Sequence, residues 1–389
     1  MNKIQMVDLH SQYLNIKQEI DAGIASVIET SSFVKGGKVV DFQKNLEKYL
    51  SVRHVIPVAN GTDALQIALM ALGLKASDEV ITPTFTFIAT AEVVALLGLT
   101  PVLVDVDSDT FCIDLEALER AITPKTKAIV PVHLFGQNAN MEGIMAIAKR
   151  HNLFVVEDAC QSMGSEYIFS DGHRQHSGTI GNIGCTSFFP SKNLGCYGDG
   201  GALFTNDDEL AESITTIANH GMRIRYHHDM IGVNSRLDSI QAAVLDAKLP
   251  HLDSYVRARR EAAEFYNSHF ADNPKVITPK TATHTTHSFH QYTLQLVGVD
   301  RQRLINEMAE RGIPVMVYYP IPLHLQKAYR SNRYSQGDFP VAEKLSATVC
   351  SLPMHTELDK EQMEYMRGEW DLLLNGVGMP SLTTQMSGK

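Results

Sequence analysis

Along the first half of the chain, short apolar runs rich in β-branched residues alternate with longer stretches whose apolar positions recur at helical spacing. Each short run predicts a buried strand, and each longer stretch predicts an amphipathic helix. The predicted strands are 54–58, 79–81, 102–106, 128–132, 153–156 and 202–204. The helices predicted between them are 63–72, 89–97, 115–122 and 144–149. Such alternation builds βαβ units, so it predicts an α/β fold around a mostly parallel central sheet.

The last third of the chain predicts a smaller α/β lobe. Helical periodicity over 235–249 and 252–270 leads into it, and the stretch 274–286, rich in Thr, His and Pro, predicts a loop. Further strands and helices follow at 289–297 (strand), 303–310 (helix), 315–319 (strand) and 360–374 (helix).

We therefore expect two domains. The large one covers residues 1–250 and the small C-terminal one covers residues 251–389, in keeping with the size at which single cores stop growing. Residues 1–35 are expected to pack on the small lobe. The polar tail 380–389 is expected to be loose.

Composition limits the class of partner. The chain has 389 residues, with 34 basic and 44 acidic side chains and a formal net charge of -10. This balance argues against nucleic acid or an anionic membrane surface as the main partner. No apolar run approaches the roughly 20 residues of a membrane span, and the first residues lack the apolar core of a signal peptide. Five cysteines without a CxxC pair predict neither disulfides nor a metal site, which favours a cytoplasmic location.

The most informative chemistry lies around one lysine. Lys192 sits in a tight, Gly-rich stretch, 186–195, soon after Asp158, which follows a predicted strand. A pyridoxal 5'-phosphate (PLP) enzyme needs an amine that forms a Schiff base and a carboxylate that keeps the pyridine nitrogen protonated. A lysine alone is usually a solvated surface residue, but the neighbouring acid and glycines favour a catalytic role for Lys192.

A candidate phosphate site lies earlier in the chain than Asp158 and Lys192. Asn60, Gly61 and Thr62 stand where a predicted strand turns into a helix, and a helix N-terminus offers unpaired N–H groups and partial positive charge. The alternative is simple helix capping by Asn60 or Thr62. No G-x-G-x-x-G follows a predicted strand and no G-x-x-x-x-G-K-[ST] occurs, which argues against a nicotinamide enzyme or a P-loop protein.

The lysine motif, together with Glu157-Asp158-x-x-Gln161, resembles the DegT/StrS family of PLP-dependent nucleotide-sugar aminotransferases, and the resemblance runs from about residue 5 to 375. It implies a fold-type-I PLP transferase, similar in fold to aspartate aminotransferase. It also implies transfer of an amino group from L-glutamate to a nucleotide-linked keto sugar by a homodimer with shared active sites.

The resemblance also implies roles for single residues. Lys192 and Asp158 would be catalytic, and Gln161 would bind the phenolic oxygen of the cofactor ring. Phosphate ligands would be Gly61, Thr62, Ser187 and, from the neighbouring subunit, Asn234. Phe87 would stack on the ring, and strand alternation places Phe85 and Phe87 on the same side.

The resemblance also suggests a particular sugar substrate. The segments 225–228 and 232–236 look similar to aminotransferases acting on UDP-2-acetamido-2-deoxy-3-oxo-glucuronate. Its carboxylate would need a cation, which Arg236 or a histidine of 225–228 could supply. His133, Tyr319 and His324 complete the expected substrate set, although His133 could equally be a core histidine.

Alternatives remain for the function. The substrate could be a 3-keto or 4-keto 6-deoxyhexose nucleotide, which lacks the carboxylate. A PLP-binding regulatory protein without turnover is the alternative from another class. The favoured function is in bacterial surface-polysaccharide biosynthesis, including lipopolysaccharide.

Overall fold

The computed structural model describes residues 3–329 and 333–374. In chain order the helices are α1 (Leu9–Asn15), α2 (Lys17–Thr30), α3 (Gly37–Leu50), α4 (Gly61–Ala71), α5 (Ala89–Leu96), α6 (Leu115–Arg120), α7 (Met141–His151), α8 (Asp208–Ala218), α9 (Ser239–Lys248), α10 (Leu252–Phe270), α11 (Arg301–Glu310), α12 (Pro340–Thr348) and α13 (Lys360–Leu374). The strands are β1 (His54–Val58), β2 (Glu79–Pro83), β3 (Thr100–Val104), β4 (Thr126–Ile129), β5 (Phe154–Asp158), β6 (Glu166–Ile168), β7 (Arg174–His176), β8 (Ile183–Ser187), β9 (Gly201–Thr205), β10 (Met222–Ile224), β11 (His227–His228), β12 (Val276–Ile277), β13 (Tyr292–Leu296) and β14 (Val349–Leu352).

The central sheet has the strand order β1-β9-β8-β5-β4-β2-β3. Neighbours from β8 to β3 pair in parallel, whereas β9 runs antiparallel to both β8 and β1. The prediction of an α/β fold with a mostly parallel sheet is therefore confirmed. The predicted pattern had omitted strand β8, which contains Gly184 packed against the backbone of Gly178 and so lacks a run of large apolar residues.

Helices cover both faces of this sheet. Val156 packs into one cluster with residues of α4, α5 and α8, while its neighbour Val155 packs into another with residues of α6 and α7. Adjacent strand residues point to opposite faces, so a strand buried on both sides is apolar at consecutive positions. This explains why the buried strands appear in the sequence as continuous apolar runs.

The ends of four strands meet at one edge of the sheet. Val58 pairs with Gly201, which also pairs with Ser187, the last residue of β8. β5 ends beside them at Asp158, and the chain after Pro83 of β2 continues along the same edge. Parallel sheets bind ligands outside the carboxyl ends of their strands, so this edge is where a site is expected.

A second core lies in the C-terminal part. The antiparallel sheet β12-β13-β14 packs with α10, α11 and α13 around the buried side chains of Phe270, Tyr292 and Trp370. The predicted strand at 315–319 is wrong, because Met316 forms only an isolated bridge with Ser351. The backbone beyond it turns towards the edge of the large sheet.

The N-terminal segment contacts both parts of the chain. Ile4 is buried in the C-terminal core, and Gln12 Nε2 donates to Thr356 Oγ1 at 3.2 Å. Helix α2 instead packs on α9 of the large part. The domain boundary at residue 250 stays a prediction, and the tail 380–389 lies outside the described residues. No helix within residues 3–329 and 333–374 is long and apolar enough to cross a membrane.

Candidate active site

A cavity of about 490 Å³ opens at the edge where the strands of the large sheet end. Eight of the predicted site residues line it: Gly61, Thr62, Phe87, Asp158, Gln161, Ser187, Lys192 and Tyr319. The side chains that the sequence did not single out include Asp199, His290, Gln291 and Tyr318. The structure thus brings the lysine, the acid and the candidate phosphate residues into one enclosure.

The N-terminus of α4 forms one end of the cavity. Asn60 caps the helix by accepting a 2.8 Å hydrogen bond from Asp63 N. A Cβ at Gly61 would lie 2.7 Å from Ser187 Cβ and 3.0 Å from Cys160 Sγ, so a side chain at this position would fill the space. Free N–H groups of the first turn and the hydroxyls of Thr62 and Ser187 suit a phosphate group. Capping by Asn60 leaves these groups available to a phosphate.

Asp158 ends β5 and is buried, with 6% of its surface exposed. Its carboxylate accepts hydrogen bonds from Thr90 Oγ1 at 2.8 Å and from Cys160 N at 3.2 Å. No ion pair to Asp158 occurs among the described residues. A buried carboxylate without a cation is costly, and a protonated pyridine nitrogen is a cation that would fit this position.

Lys192 lies on a tightly closed loop. Its backbone N–H donates to Phe189 O, and Cys196 N donates to Phe188 O, both at 2.8 Å. Burial lowers the pKa of Lys192. Cys160 and Asp158 act in the opposite direction and raise it, but burial has the larger effect. A lower pKa increases the fraction of neutral amine, which is the form that attacks an aldehyde.

Hydrogen bonds of Gln161 link Tyr319 to the backbone of Phe135 in the cavity wall. Gln161 Oε1 accepts from Phe135 N at 2.8 Å, and its Nε2 donates to Tyr319 Oη at 3.0 Å. The Phe87 ring lies 6.1 Å from the Tyr319 ring, tilted by 41°. The prediction that Phe85 and Phe87 share a side is wrong, because β2 ends at Pro83 and strand alternation no longer applies. Phe85 is fully buried, whereas Phe87 is 53% exposed and lines the cavity.

Two residues predicted to contact the substrate lie outside the cavity lining. His133 does not line the cavity, and its Nδ1 accepts from Ala139 N at 3.1 Å while its Nε2 donates to Glu157 Oε2 at 2.8 Å. It is fully buried and is the core histidine that the sequence left as the alternative. His324 is also buried and away from the cavity, held between Thr84 Oγ1 and Glu343 Oε1 at 3.0 Å each.

Asn234 and Arg236 lie outside the cofactor cavity of their own chain. Arg236 lines a separate cleft of about 350 Å³ together with Lys35. Asn234 is exposed, and helix α9 begins beyond both residues with Asp238 as its N-cap. Asn234 therefore does not cap this helix, and its contribution to a neighbouring subunit stays a prediction.

His290 is one of the cavity residues for which the sequence gave no signal. It is 6% exposed, and its Nδ1 has no hydrogen-bond partner among the described residues. No motif surrounds it, because its burial depends on packing between segments that are distant in sequence. In the described part of the chain, no group of three or more His, Cys, Asp or Glu side chains could hold a metal ion.

Comparison with known proteins agrees with this geometry. A family model described as the DegT/DnrJ/EryC1/StrS aminotransferase family matches residues 14–368. The chain is 46% identical to a "Pleiotropic regulatory protein" of Geobacillus stearothermophilus, covering 93% of this chain and 96% of the relative. It is 45% identical to the UDP-2-acetamido-2-deoxy-3-oxo-D-glucuronate aminotransferase of Pseudomonas aeruginosa, covering 92% and 96%.

A solved structure extends the likeness to the backbone. It is described as S. venezuelae DesV in complex with a ketimine intermediate, and it is 37% identical to this chain with a TM-score of 0.92. The alignment covers 97% of this chain and 100% of that one.

The fold, the half-buried lysine and the carboxylate without an ion-pair partner in the described structure define a fold-type-I transferase that uses PLP. The chain belongs to the DegT/DnrJ/EryC1/StrS aminotransferase family. It is accordingly a PLP-dependent sugar aminotransferase acting on nucleotide-linked sugars.

Proposed function

We propose that this enzyme transfers an amino group from L-glutamate to UDP-2-acetamido-2-deoxy-3-oxo-glucuronate. The observation that carries the proposal is Arg236, a half-buried guanidinium that has no carboxylate partner in the described structure and lies in the same cleft as Lys35. The P. aeruginosa relative named for this substrate, 45% identical over nearly the whole chain, supports it. The reaction would take place in the cytoplasm and serve bacterial surface-polysaccharide synthesis, such as that of lipopolysaccharide.

When bound, PLP supplies an electron sink that stabilises negative charge on the carbon that loses a proton. Lys192 would hold the cofactor through Nζ, and its amine would move the proton during the transfer. Its lowered pKa favours the neutral amine that accepts a proton. Asp158 is buried and would keep the ring nitrogen protonated.

The remaining cavity residues bind and orient. The first turn of α4 with Gly61 and Thr62, and the Ser187 hydroxyl, hold the phosphate. Phe87 covers one face of the ring. Gln161 is fixed by its bond to Phe135 N, so its amide N–H can be directed at the ring hydroxyl.

Substrate recognition in this proposal involves two subunits. Arg236 and Asn234 are absent from the cavity of their own chain, yet both are accessible at the surface. In a homodimer they would complete the partner's site, with Asn234 at the phosphate and Arg236 at the sugar carboxylate. Burial is the main cause that lowers the pKa of Lys35, and the nearby positive charge of Arg236 lowers it further. Two neighbouring cations are well suited to bind an anion.

A second function is favoured by one observation, the name of the 46% identical "Pleiotropic regulatory protein". A regulator without turnover has no need for a half-buried lysine of lowered pKa, Lys192, in the same cavity as a buried carboxylate. The residues that catalysis needs are together in this cavity, which favours an active enzyme.

A spectroscopic half-reaction tests the proposal. L-Glutamate should convert the enzyme from its yellow, lysine-linked cofactor to the amine form, and the yellow absorbance should return on addition of UDP-2-acetamido-2-deoxy-3-oxo-glucuronate. A dTDP-linked 4-keto 6-deoxyhexose is the parallel control. Recovery with the deoxyhexose alone would refute the uronate, and no loss of colour with glutamate would refute the donor.

A further inference from the structure

Lys192 stands at the boundary between two different parts of the lysine loop, residues 188–200 between β8 and β9. Residues 193–196 are all buried, with Leu194 in an apolar core cluster. Residues 189–192 are exposed or half-buried, and Lys192 lines the cavity. The Nζ atom of Lys192 forms no hydrogen bond with the described residues. The position of this amine therefore depends on how the backbone beside it is held.

The side chain of the next residue, Asn193, is held by two backbone carbonyls. Asn193 is 5% exposed and does not line the cavity. Its Nδ2 donates to Met163 O at 3.3 Å and to Ser288 O at 3.1 Å. Exchange of the two amide atoms would put an oxygen against two carbonyl oxygens, which cannot donate. The two donated hydrogen bonds therefore fix the orientation of the amide.

The two carbonyls belong to two other segments that contribute to the cavity. Met163 lies two residues after Gln161, and Ser288 lies two residues before His290. Both Gln161 and His290 line the cavity. Ser288 is itself fixed, because its backbone N–H donates to Gly136 O at 2.8 Å. One buried amide thus joins the lysine loop to both of these segments.

Small displacements of this backbone matter for the amine. Adjacent Cα atoms are about 3.8 Å apart, so a shift of Asn193 is passed on to Lys192. A misplacement of about 1 Å in a reacting group can slow a reaction about 100-fold. An asparagine that merely satisfied two buried carbonyls would affect stability, but its loss would not change the reactivity of the lysine. The two roles therefore differ in a measurable way.

We propose that Asn193 is a positioning residue that places the Lys192 amine for bond formation with the cofactor aldehyde and for proton transfer. It acts through the backbone, since its own side chain does not line the cavity. The inference depends on the PLP-dependent enzyme class and not on the proposed sugar or amino donor. Replacement of Asn193 should impair the steps that use the lysine and should leave binding of the cofactor phosphate unchanged.

Asn138 provides a matched control. It is fully buried and outside the cavity lining, and its Nδ2 donates to Ser165 Oγ at 2.8 Å and to Thr285 Oγ1 at 2.9 Å. Ser165 and Thr285 lie close in sequence to the two residues that Asn193 joins. In both asparagines Oδ1 has no hydrogen-bond partner in the described structure. Asn138 differs in that it is not on the lysine loop.

The test compares Asn193→Leu, Asn193→Ser and Asn138→Leu in two measurements. The first is the rate at which yellow absorbance appears after apoenzyme is mixed with saturating PLP, which reports bond formation with Lys192. The second is the affinity for pyridoxamine 5'-phosphate, which has an amine in place of the aldehyde and cannot bond to the lysine. We expect Asn193→Leu to slow the first at least about tenfold and to change the second by less than about twofold. Asn138→Leu should change neither by more than about twofold.

The Ser variant keeps one donor, so its rate should lie between those of wild type and Asn193→Leu. Thermal denaturation of each variant separates a loss of folded protein from a loss of rate. Equal rates in Asn193→Leu and Asn138→Leu would overturn the inference, and so would a loss of pyridoxamine 5'-phosphate affinity as large as the loss of rate. If Asn193→Leu does not fold, a wild-type rate in Asn193→Ser would overturn it. Neither measurement uses a sugar or glutamate, so the outcome is independent of the proposed substrates.

Discussion

Lys248 Nζ donates a 2.8 Å hydrogen bond to the carbonyl oxygen of Gly195, three residues beyond Lys192. Lys248 is 1% exposed and its ammonium lies 4.5 Å from the centre of the Tyr197 ring. No carboxylate pairs with it in the described part of the chain. A buried, unpaired lysine therefore supports the loop that carries the reactive one.

This arrangement predicts a particular pH dependence of stability. Burial lowers the pKa of Lys248 to about 8. The unfolded chain, with a normal lysine pKa, binds more protons between about pH 8 and 10.5, so this residue's contribution to stability rises with pH there. We expect the free energy of unfolding of wild type relative to Lys248→Met to increase by roughly 3 kcal/mol across that window. Chemical denaturation at pH 7.5 and pH 10 measures it, and a pH-independent difference would contradict the assigned cause.

Gly61 is predicted to be required for cofactor binding. A methyl group at this position would collide with Ser187 Cβ and Cys160 Sγ at the candidate phosphate site. We expect Gly61→Ala to weaken PLP at least about tenfold, measured by titrating the apoenzyme. Gly368 is the matched control, because a Cβ there meets nothing within 4 Å and lies within a helix. Equal PLP affinity in both variants would show that the phosphate binds elsewhere.

The His133–Glu157 pair is expected to be structural. Glu157 is fully buried and also accepts hydrogen bonds from the backbone N–H groups of Gly178, Ile180 and Gly181. Because removing one partner leaves an uncompensated buried charge, we expect His133→Ala to cost about 3 kcal/mol of stability. KM for the keto sugar should be unchanged. A raised KM in a stable protein would restore the substrate role predicted from the sequence.

Replacement of Arg236 is expected to impair the sugar half-reaction and to spare the glutamate half-reaction. Without its guanidinium the substrate carboxylate loses a charge-assisted hydrogen bond, so Arg236→Ala should reduce turnover of the uronate about 10- to 100-fold. The glutamate half-reaction should be unaffected, and Arg236→Lys should retain part of the activity. Stopped-flow absorbance resolves both steps, and equal damage to both would indicate a structural arginine.

Shared active sites have their own test. In the proposed homodimer, Lys192 and Asn234 of one site come from different subunits. Co-expressed Lys192→Ala and Asn234→Ala chains should therefore form mixed dimers with one intact site, which recover about half of wild-type activity per mixed dimer, as expected for independent sites. Purified mixed dimers without activity would place both residues in one subunit.

Much of this architecture was predictable from local patterns. The buried strands are apolar at consecutive positions, and Asp158 and Lys192 stand at strand ends or on glycine-rich turns, so short segments suffice to locate them. Adjacent strand residues face opposite sides, and this explains why His133 lies outside the cavity lining. Asp158 points into the cavity, whereas Glu157 points to the other face and binds His133 there.

Other features depend on contacts between distant segments. His290 reaches the cavity because Arg259 and the turn at Gly136 hold its backbone, and neither interaction leaves a pattern near residue 290. The region 315–319 has the alternation of a strand, yet Tyr318 and Tyr319 line the cavity instead. At 315–319 the position of these side chains in the cavity prevails over the local preference for a strand.

Transfer of nitrogen is the central claim, and isotope labelling tests it most directly. The enzyme would be incubated with ¹⁵N-labelled L-glutamate and UDP-2-acetamido-2-deoxy-3-oxo-glucuronate, and the nucleotide sugar would be analysed by mass spectrometry. The account predicts one ¹⁵N atom in an amino-sugar product with wild type and none with Lys192→Ala. An unlabelled keto sugar recovered from active, PLP-loaded wild-type enzyme would contradict it.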